Sequence, residues 1–189
     1  MVGGRLGVDF ANAAQDPTKL SWPSLIRFLE VTQIVSVARS AQLLNLPDVD
    51  PQTANALLQK AQKMAASLQH VFGAIIHKGK LAAQWMEPVN ELLRITEGHD
   101  ELVLADGKWQ MDFIAREGGL DWLLAAVARS AAEIITEGEK ALLRVCANPS
   151  CGLFFCDKSR TRRRRWCSMA TCGNRHKVAS FAKKHAHQK

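Results

Sequence analysis

The chain has 189 residues, a formal net charge of +7 at pH 7 and five cysteines, all between positions 146 and 172. Residues 146–189 hold eleven Lys/Arg against one acid, Asp157, whereas residues 1–145 hold fourteen against seventeen, so a nearly neutral body carries a basic module suited to a polyanion. The longest apolar run, Trp122 to Ala128, is too short for a membrane helix, and no basic, then apolar, then cleavable leader opens the chain, so a cytosolic protein is expected.

The first helix signal is Ser21-Trp22-Pro23, with Ser21 or Ser24 as cap and Pro23 in the first turn. Leu25, Ile26 and Leu29, then Ile34, Val37, Ala38, Ala41 and Leu44, continue an apolar stripe, with a bend expected at Val31-Thr32. Leu46-Pro47-Asp48 ends the segment. Asp50-Pro51 opens a second helix that runs to about His77, where Lys78-Gly79-Lys80 stops it. A third spans Leu81 to Ile95, bent or broken near Pro88. Glu101–Leu104 and Trp109–Phe113 flank Ala105-Asp106-Gly107-Lys108, a hairpin signal. Gly118-Gly119 breaks the chain, and Leu120 to Thr136 reads as an Ala-rich buried helix closed by Gly138. Trp22, Trp85, Trp109 and Trp122 are core candidates, one or two of which can line an apolar sensor pocket. His70 and His77 belong at a surface or rim. The expected class is α+β: a mostly helical domain over 1–144 with one small hairpin, then a small cysteine-bearing domain over 145–189.

The cysteines read Cys146-x4-Cys151, a spacer of fifteen residues, then Cys167-x4-Cys172. The body is long enough to bury a core, but a segment as short as 145–189 needs a metal, disulfides or a partner. In a reducing cytosol the cluster favours metal, two disulfides or buried free thiols being the alternative. Two close pairs can supply the four thiolates of a closed tetrahedral zinc site. Ala147-Asn148-Pro149-Ser150 is a turn able to fold around the ion. Leu153-Phe154-Phe155 can leave as a strand. Ser168 can cap a helix from Met169 that carries Cys172 in its first turn, favouring its thiolate, and whose Val178, Phe181 and Ala182 pack back on the strands. Knuckle, hairpin and helix form a treble-clef-like finger. Cys156 alternates with Phe154 and reads as a small buried residue, although it can replace a ligand. His176, His185 and His187 are weaker ligand candidates.

Cys146-Ala-Asn-Pro-Ser-Cys151-Gly, Phe155, Asp157, Ser159, Arg164-Arg165-Trp166-Cys167-Ser168-Met169 and Cys172-Gly173-Asn174-Arg175 resemble the CGNR zinc finger, named for its final tetrapeptide. Leu6-Gly7-Val8-Asp9-Phe10-Ala11-Asn12 and the order of elements in the body resemble its usual companion, the ABATE domain. The resemblance implies a bacterial transcription regulator. Its finger would bind DNA, its four zinc ligands would be Cys146, Cys151, Cys167 and Cys172, and its body would sense a small-molecule effector. Cys156 departs from the bulkier apolar or aromatic residue expected there.

Lys158, Arg160, Arg162, Arg163, Arg164 and Arg165 lie between the pairs, and Arg175, Lys177, Lys183, Lys184 and Lys189 follow on the helix. Neutralising duplex phosphates is the evident use of such charge, a solvated loop the alternative. Asn174 and Arg175 are candidates for reading base edges. They also fit a structural role, with Gly173 giving close approach to the knuckle and Arg175 pairing with Asp157. Trp166 reads as a packing lid rather than a base-stacking platform. Asp9 and Asn12 can line a ligand pocket, or cap a helix and tie the N-terminal segment to the body. No catalytic motif stands out, so no enzyme is expected. The expected partners are duplex DNA at the nucleoid, a second copy of the chain and an unknown effector, with no membrane; an RNA-binding or protein-docking zinc module is the alternative.

Overall fold

In a computed structural model of the protein, residues 2–94, 98–105, 108–115 and 119–186 are described, with the backbone alone for 98–105, 108–115 and 183–186. The body is helical: α1 (Leu6–Ala13), α2 (Trp22–Val31), α3 (Val37–Leu44), the short α4 (Leu46–Val49), α5 (Pro51–Ile76), α6 (Glu87–Arg94) and α7 (Trp122–Glu137). β1 (Gly98–Ala105) and β2 (Lys108–Ala115) pair antiparallel from Gly98↔Ala115 to Ala105↔Lys108. The expected hairpin is therefore present and longer than its apolar runs, while the Asp106-Gly107 turn lies outside the described residues, as do Ile95 and Gly118. The finger comprises β3 (Leu143–Val145), β4 (Phe154–Cys156) and α8 (Asn174–Ala186). The class is α+β. Among the described residues no helix is long and apolar enough to cross a membrane.

The axis of the body is α5. Asp50 caps it by accepting from Thr53 N at 3.0 Å, with Pro51 in the first turn, as the Asp-Pro signal requires. Its buried Ala54, Leu57, Ala61, Met64, Leu68, Val71 and Phe72 recur at helical spacing and form the stripe on which the other helices lie. α7 presents Ala128 and Ala131, so α1 crosses it closely. A Cβ added to Gly7 would stand 2.9 Å from Ala131 N, and Gly7 N donates to Ser130 Oγ at 3.1 Å. Across the body, Trp22 Nε1 donates to Leu43 O at 2.9 Å and Gln69 Nε2 to Ala11 O at 2.6 Å.

The bend expected at Val31-Thr32 is a full break, since Thr32 Oγ1 bonds Phe28 O at 2.8 Å and Gln33 takes φ +60° before Ser36 caps α3. Leu46-Pro47-Asp48 does not end a helix but starts α4, with proline in its first turn. Pro88 likewise sits in the first turn of α6, after a 3-10 turn at Ala83–Trp85.

The boundary expected at 144/145 falls inside β3. Leu143, Phe154 and Cys156 lie in the same apolar core as α1, α5 and α7, and the Phe154 ring meets Phe72 edge-on with centroids 5.9 Å apart. The inner face of the finger's hairpin is thus a wall of the body's core.

Candidate metal centre and basic surface

β3 and β4 pair in the register Leu143↔Cys156, Arg144↔Phe155 and Val145↔Phe154. Between them the chain turns through the knuckle. Ser150 N donates to Asn148 Oδ1 at 3.2 Å, Cys151 N to Asn148 O at 2.9 Å and Cys146 N to Leu153 O at 2.8 Å, with Gly152 at φ +66° closing the turn. Ala147 N takes Arg165 O at 2.9 Å, which brings the second pair alongside the first.

The Sγ atoms of Cys146, Cys151, Cys167 and Cys172 lie within 4.8 Å of one another. Cys151 and Cys167 are 3.6 Å apart, Cys167 and Cys172 3.8 Å. Zinc–sulfur bonds of about 2.3 Å in a tetrahedron place sulfurs roughly 3.8 Å apart, whereas a disulfide needs about 2.05 Å. Cysteines, separation and burial together fit one structural zinc ion held by these four thiolates. Cys156 is buried in the body's core and absent from the cluster.

Cys167 N donates to Cys146 Sγ at 3.4 Å, and the Asn148 amide stands 3.6 Å from Cys172 Sγ. Such donors orient thiolates and spread their charge. The Asn148 contact lowers the Cys172 thiol to about 7, while burial pushes the Cys151 and Cys167 thiols up. A bound cation overrides that burial and holds all four as thiolates.

α8 begins through a π turn over Met169–Gly173, in which Gly173 N donates to Ser168 O at 3.0 Å. This wide turn carries Cys172, and the Ser168 hydroxyl makes no cap bond, so the expected serine cap is replaced by a backbone one. Gly173 allows close approach of Trp166 and Met169: a Cβ there would stand 2.9 Å from Met169 Sδ. Val178 and Phe181 do not pack on the strands but are 69% and 66% exposed. On the strands, Phe154 and Cys156 enter the body's core and Phe155 is covered by the Arg164 guanidinium at 4.7 Å, while Val145 stays 39% exposed.

Arg164 is accordingly a strut rather than a free cation: its Nε donates to Trp166 O at 2.8 Å and its Nη2 to Cys167 O. Lys158 Nζ donates to Gly4 O at 2.7 Å. Arg160, Arg162, Arg163, Arg165, Asn174, Arg175 and Lys177 are exposed. The side chains of Lys183 and Lys184, and all of His187 and Lys189, lie outside the described residues. Trp166 is half-buried over the cysteines, 4.8 Å from the His176 ring and 5.4 Å from the Arg165 guanidinium, as a lid would be.

Asp157 does not pair with Arg175. Its Oδ1 accepts from Ser159 N and Oγ at 3.0 and 2.6 Å, its Oδ2 from Arg164 N at 2.9 Å, and Arg144 Nε stands 3.4 Å away. Burial alone would raise this carboxyl; the Ser159 and Arg164 bonds and the Arg144 charge hold it below its ordinary range.

Asp9 and Asn12 serve as ties. Asp9 Oδ1 accepts from Gly3 N at 2.8 Å, and the Asn12 side chain accepts from Phe154 N and donates to Phe154 O, both at 2.8 Å. The Asn12 amide is bonded to β4, and Asp9 and Asn12 also line an open pocket of about 380 Å³ beside Arg27 and Phe28. Sequence reasoning missed this pairing with the finger, and it missed Arg144 as the partner of Asp157. The residues stand 142 and 13 positions apart, and no local pattern joins them.

This geometry defines a four-thiolate zinc finger. Residues 143–185 match the family described as the CGNR zinc finger. No curated protein matches the chain.

Proposed function

We propose that the finger binds duplex DNA through phosphates first and base edges second, making the protein a transcription regulator whose ABATE-like body senses an effector or dimerises. The observation that carries this is the pairing state of the charge. The finger's one acid, Asp157, is buried and saturated from within, so Arg160, Arg162, Arg163, Arg165, Arg175 and Lys177 stand exposed with no carboxylate partner among the described residues. Cations left unpaired on a metal-braced scaffold are suited to displacing counterions from a polyphosphate.

The test is binding of labelled duplex, single strand and RNA by the zinc-loaded chain at several salt concentrations. About four to six neutralised phosphates give a slope of log K against log salt near −4 to −5. Arg175→Ala should cost roughly 1–3 kcal/mol on a preferred site and little on scrambled duplex. Preference for RNA would move the reading to an RNA-binding module, and absence of salt-sensitive affinity would leave a protein-docking one.

A further inference from the structure

Between body and finger runs a groove of about 330 Å³ lined by Arg5 and Lys140 from the body and by Lys158, Arg160 and Arg162 from the finger. We propose that body and finger together build a phosphate-binding groove here, occupied by the backbone of the DNA that the finger grips; this rests on the DNA-binding reading above.

Two carboxylates also border the groove, and neither is free to neutralise it. Glu137 Oε1 is taken by Arg5 Nη2 at 2.7 Å. Asp157 is saturated by Ser159, Arg164 and Arg144. Lys158 spends one hydrogen on a carbonyl, Gly4 O, and keeps its charge. Lys140, Arg160 and Arg162 have no side-chain partner among the described residues. Arg5 Nη1 is buried without a hydrogen-bond acceptor among them, a donor that a bound water or anion would satisfy.

The arrangement is held rather than incidental. Arg162 sits at φ +51°, a strained value for a residue with a side chain. Its N–H bonds Ser159 O at 3.1 Å and its carbonyl takes Arg144 Nη2 at 2.8 Å. Lys140 is set by the 3-10 turn Gly138–Ala141, which follows the φ +54° of Gly138. Beside the Arg5–Glu137 pair, four cations without a carboxylate partner, Lys140, Lys158, Arg160 and Arg162, converge from two parts of the chain and repel one another until an anion joins them. A phosphate offers oxygens to several at once.

The experiment uses the full-length, zinc-loaded protein and a labelled duplex of random sequence over a salt series. Lys140→Ala should flatten the salt slope by about one unit, as should Arg160→Ala. Lys63→Ala, at an exposed position on α5 outside the groove, should change nothing. Zinc content and melting temperature of each variant verify folding. If Lys140→Ala behaves as Lys63→Ala while Arg160→Ala loses affinity, the body takes no part and the inference falls. If the wild-type protein binds no duplex, the DNA reading fails and the groove is tested with inorganic phosphate alone. Phosphate that raises the melting temperature of the wild type but not of Lys140→Ala upholds the groove, and equal shifts in both overturn it.

Discussion

Asn12→Ala removes a single amide from α1, yet it should be felt in the finger. Both of its bonds go to the backbone of Phe154, at 2.8 Å each, in the seam where Phe154 meets Phe72. A buried backbone group left without a partner costs about 1–3 kcal/mol. Because water reaches part of this seam, the two together should cost about 2–3 kcal/mol. For a chain of this size that corresponds to a fall of about 5–10 °C in melting temperature. The assay is thermal unfolding of the zinc-loaded chain, paired with the rate of zinc release to a colorimetric chelator. Faster release is expected because β4 connects Asn12 to the Cys151 side of the knuckle. Asn12→Asp keeps the acceptor for Phe154 N–H but sets a carboxylate oxygen against Phe154 C=O, so it should do no better than alanine. An Asn12→Ala protein that melts within about 1 °C of wild type and holds zinc equally well would refute the reasoning.

Cys151→Ser or Cys172→Ser should abolish zinc binding and unfold the finger, since structural zinc contributes apparent energies of about 10–16 kcal/mol in small fingers; Cys156→Ala should retain one zinc by metal analysis. Gly7→Ala should lower stability by about 1–3 kcal/mol in denaturant unfolding, because its new Cβ would stand 2.9 Å from the Ala131 backbone nitrogen, which cannot move aside as a side chain can. Asp157 has a folded carboxyl below its unfolded value, so its contribution is complete above the unfolded value of 3.8 and lost as pH falls through the folded one. Asp157→Asn should therefore destabilise at neutral pH, by about 3 kcal/mol, and the gap in melting temperature from wild type should close in acid below about pH 4.

The parts legible from sequence are those with a local cause. Asp50-Pro51 starts α5 because cap and first-turn proline are adjacent; Gly138 ends α7 because it adopts φ +54°; the cysteine spacing specifies the metal site because thiolate chemistry needs little else. α1 was not legible as a helix. Its N-cap, Arg5, makes no cap bond, and it holds a glycine at its second position, so it is helical because Val8, Phe10 and Ala11 are buried against distant elements. The α8 face was misjudged for a related reason. Val178 and Phe181 have helical spacing, but Phe154 and Cys156 of the strands are taken by the body and Phe155 by Arg164. Arg164 was indistinguishable from its arginine neighbours, because the Phe155 ring and the Trp166 and Cys167 carbonyls that hold it come together only in the folded finger.

The T-shaped contact of Phe154 with Phe72 bears on portability. Small metal-braced modules are often treated as cassettes, cut at a linker and fused to a new host. Here the inner side of the hairpin is finished by its host: Leu143, Phe154 and Cys156 face the body's interior, and the Phe154 backbone is completed by Asn12. Grafted elsewhere, the same residues would arrive as a bare aromatic patch with an open backbone edge, prone to self-association. A transplant that keeps zinc and stays monomeric would need to bring α1 and the facing turn of α5 along.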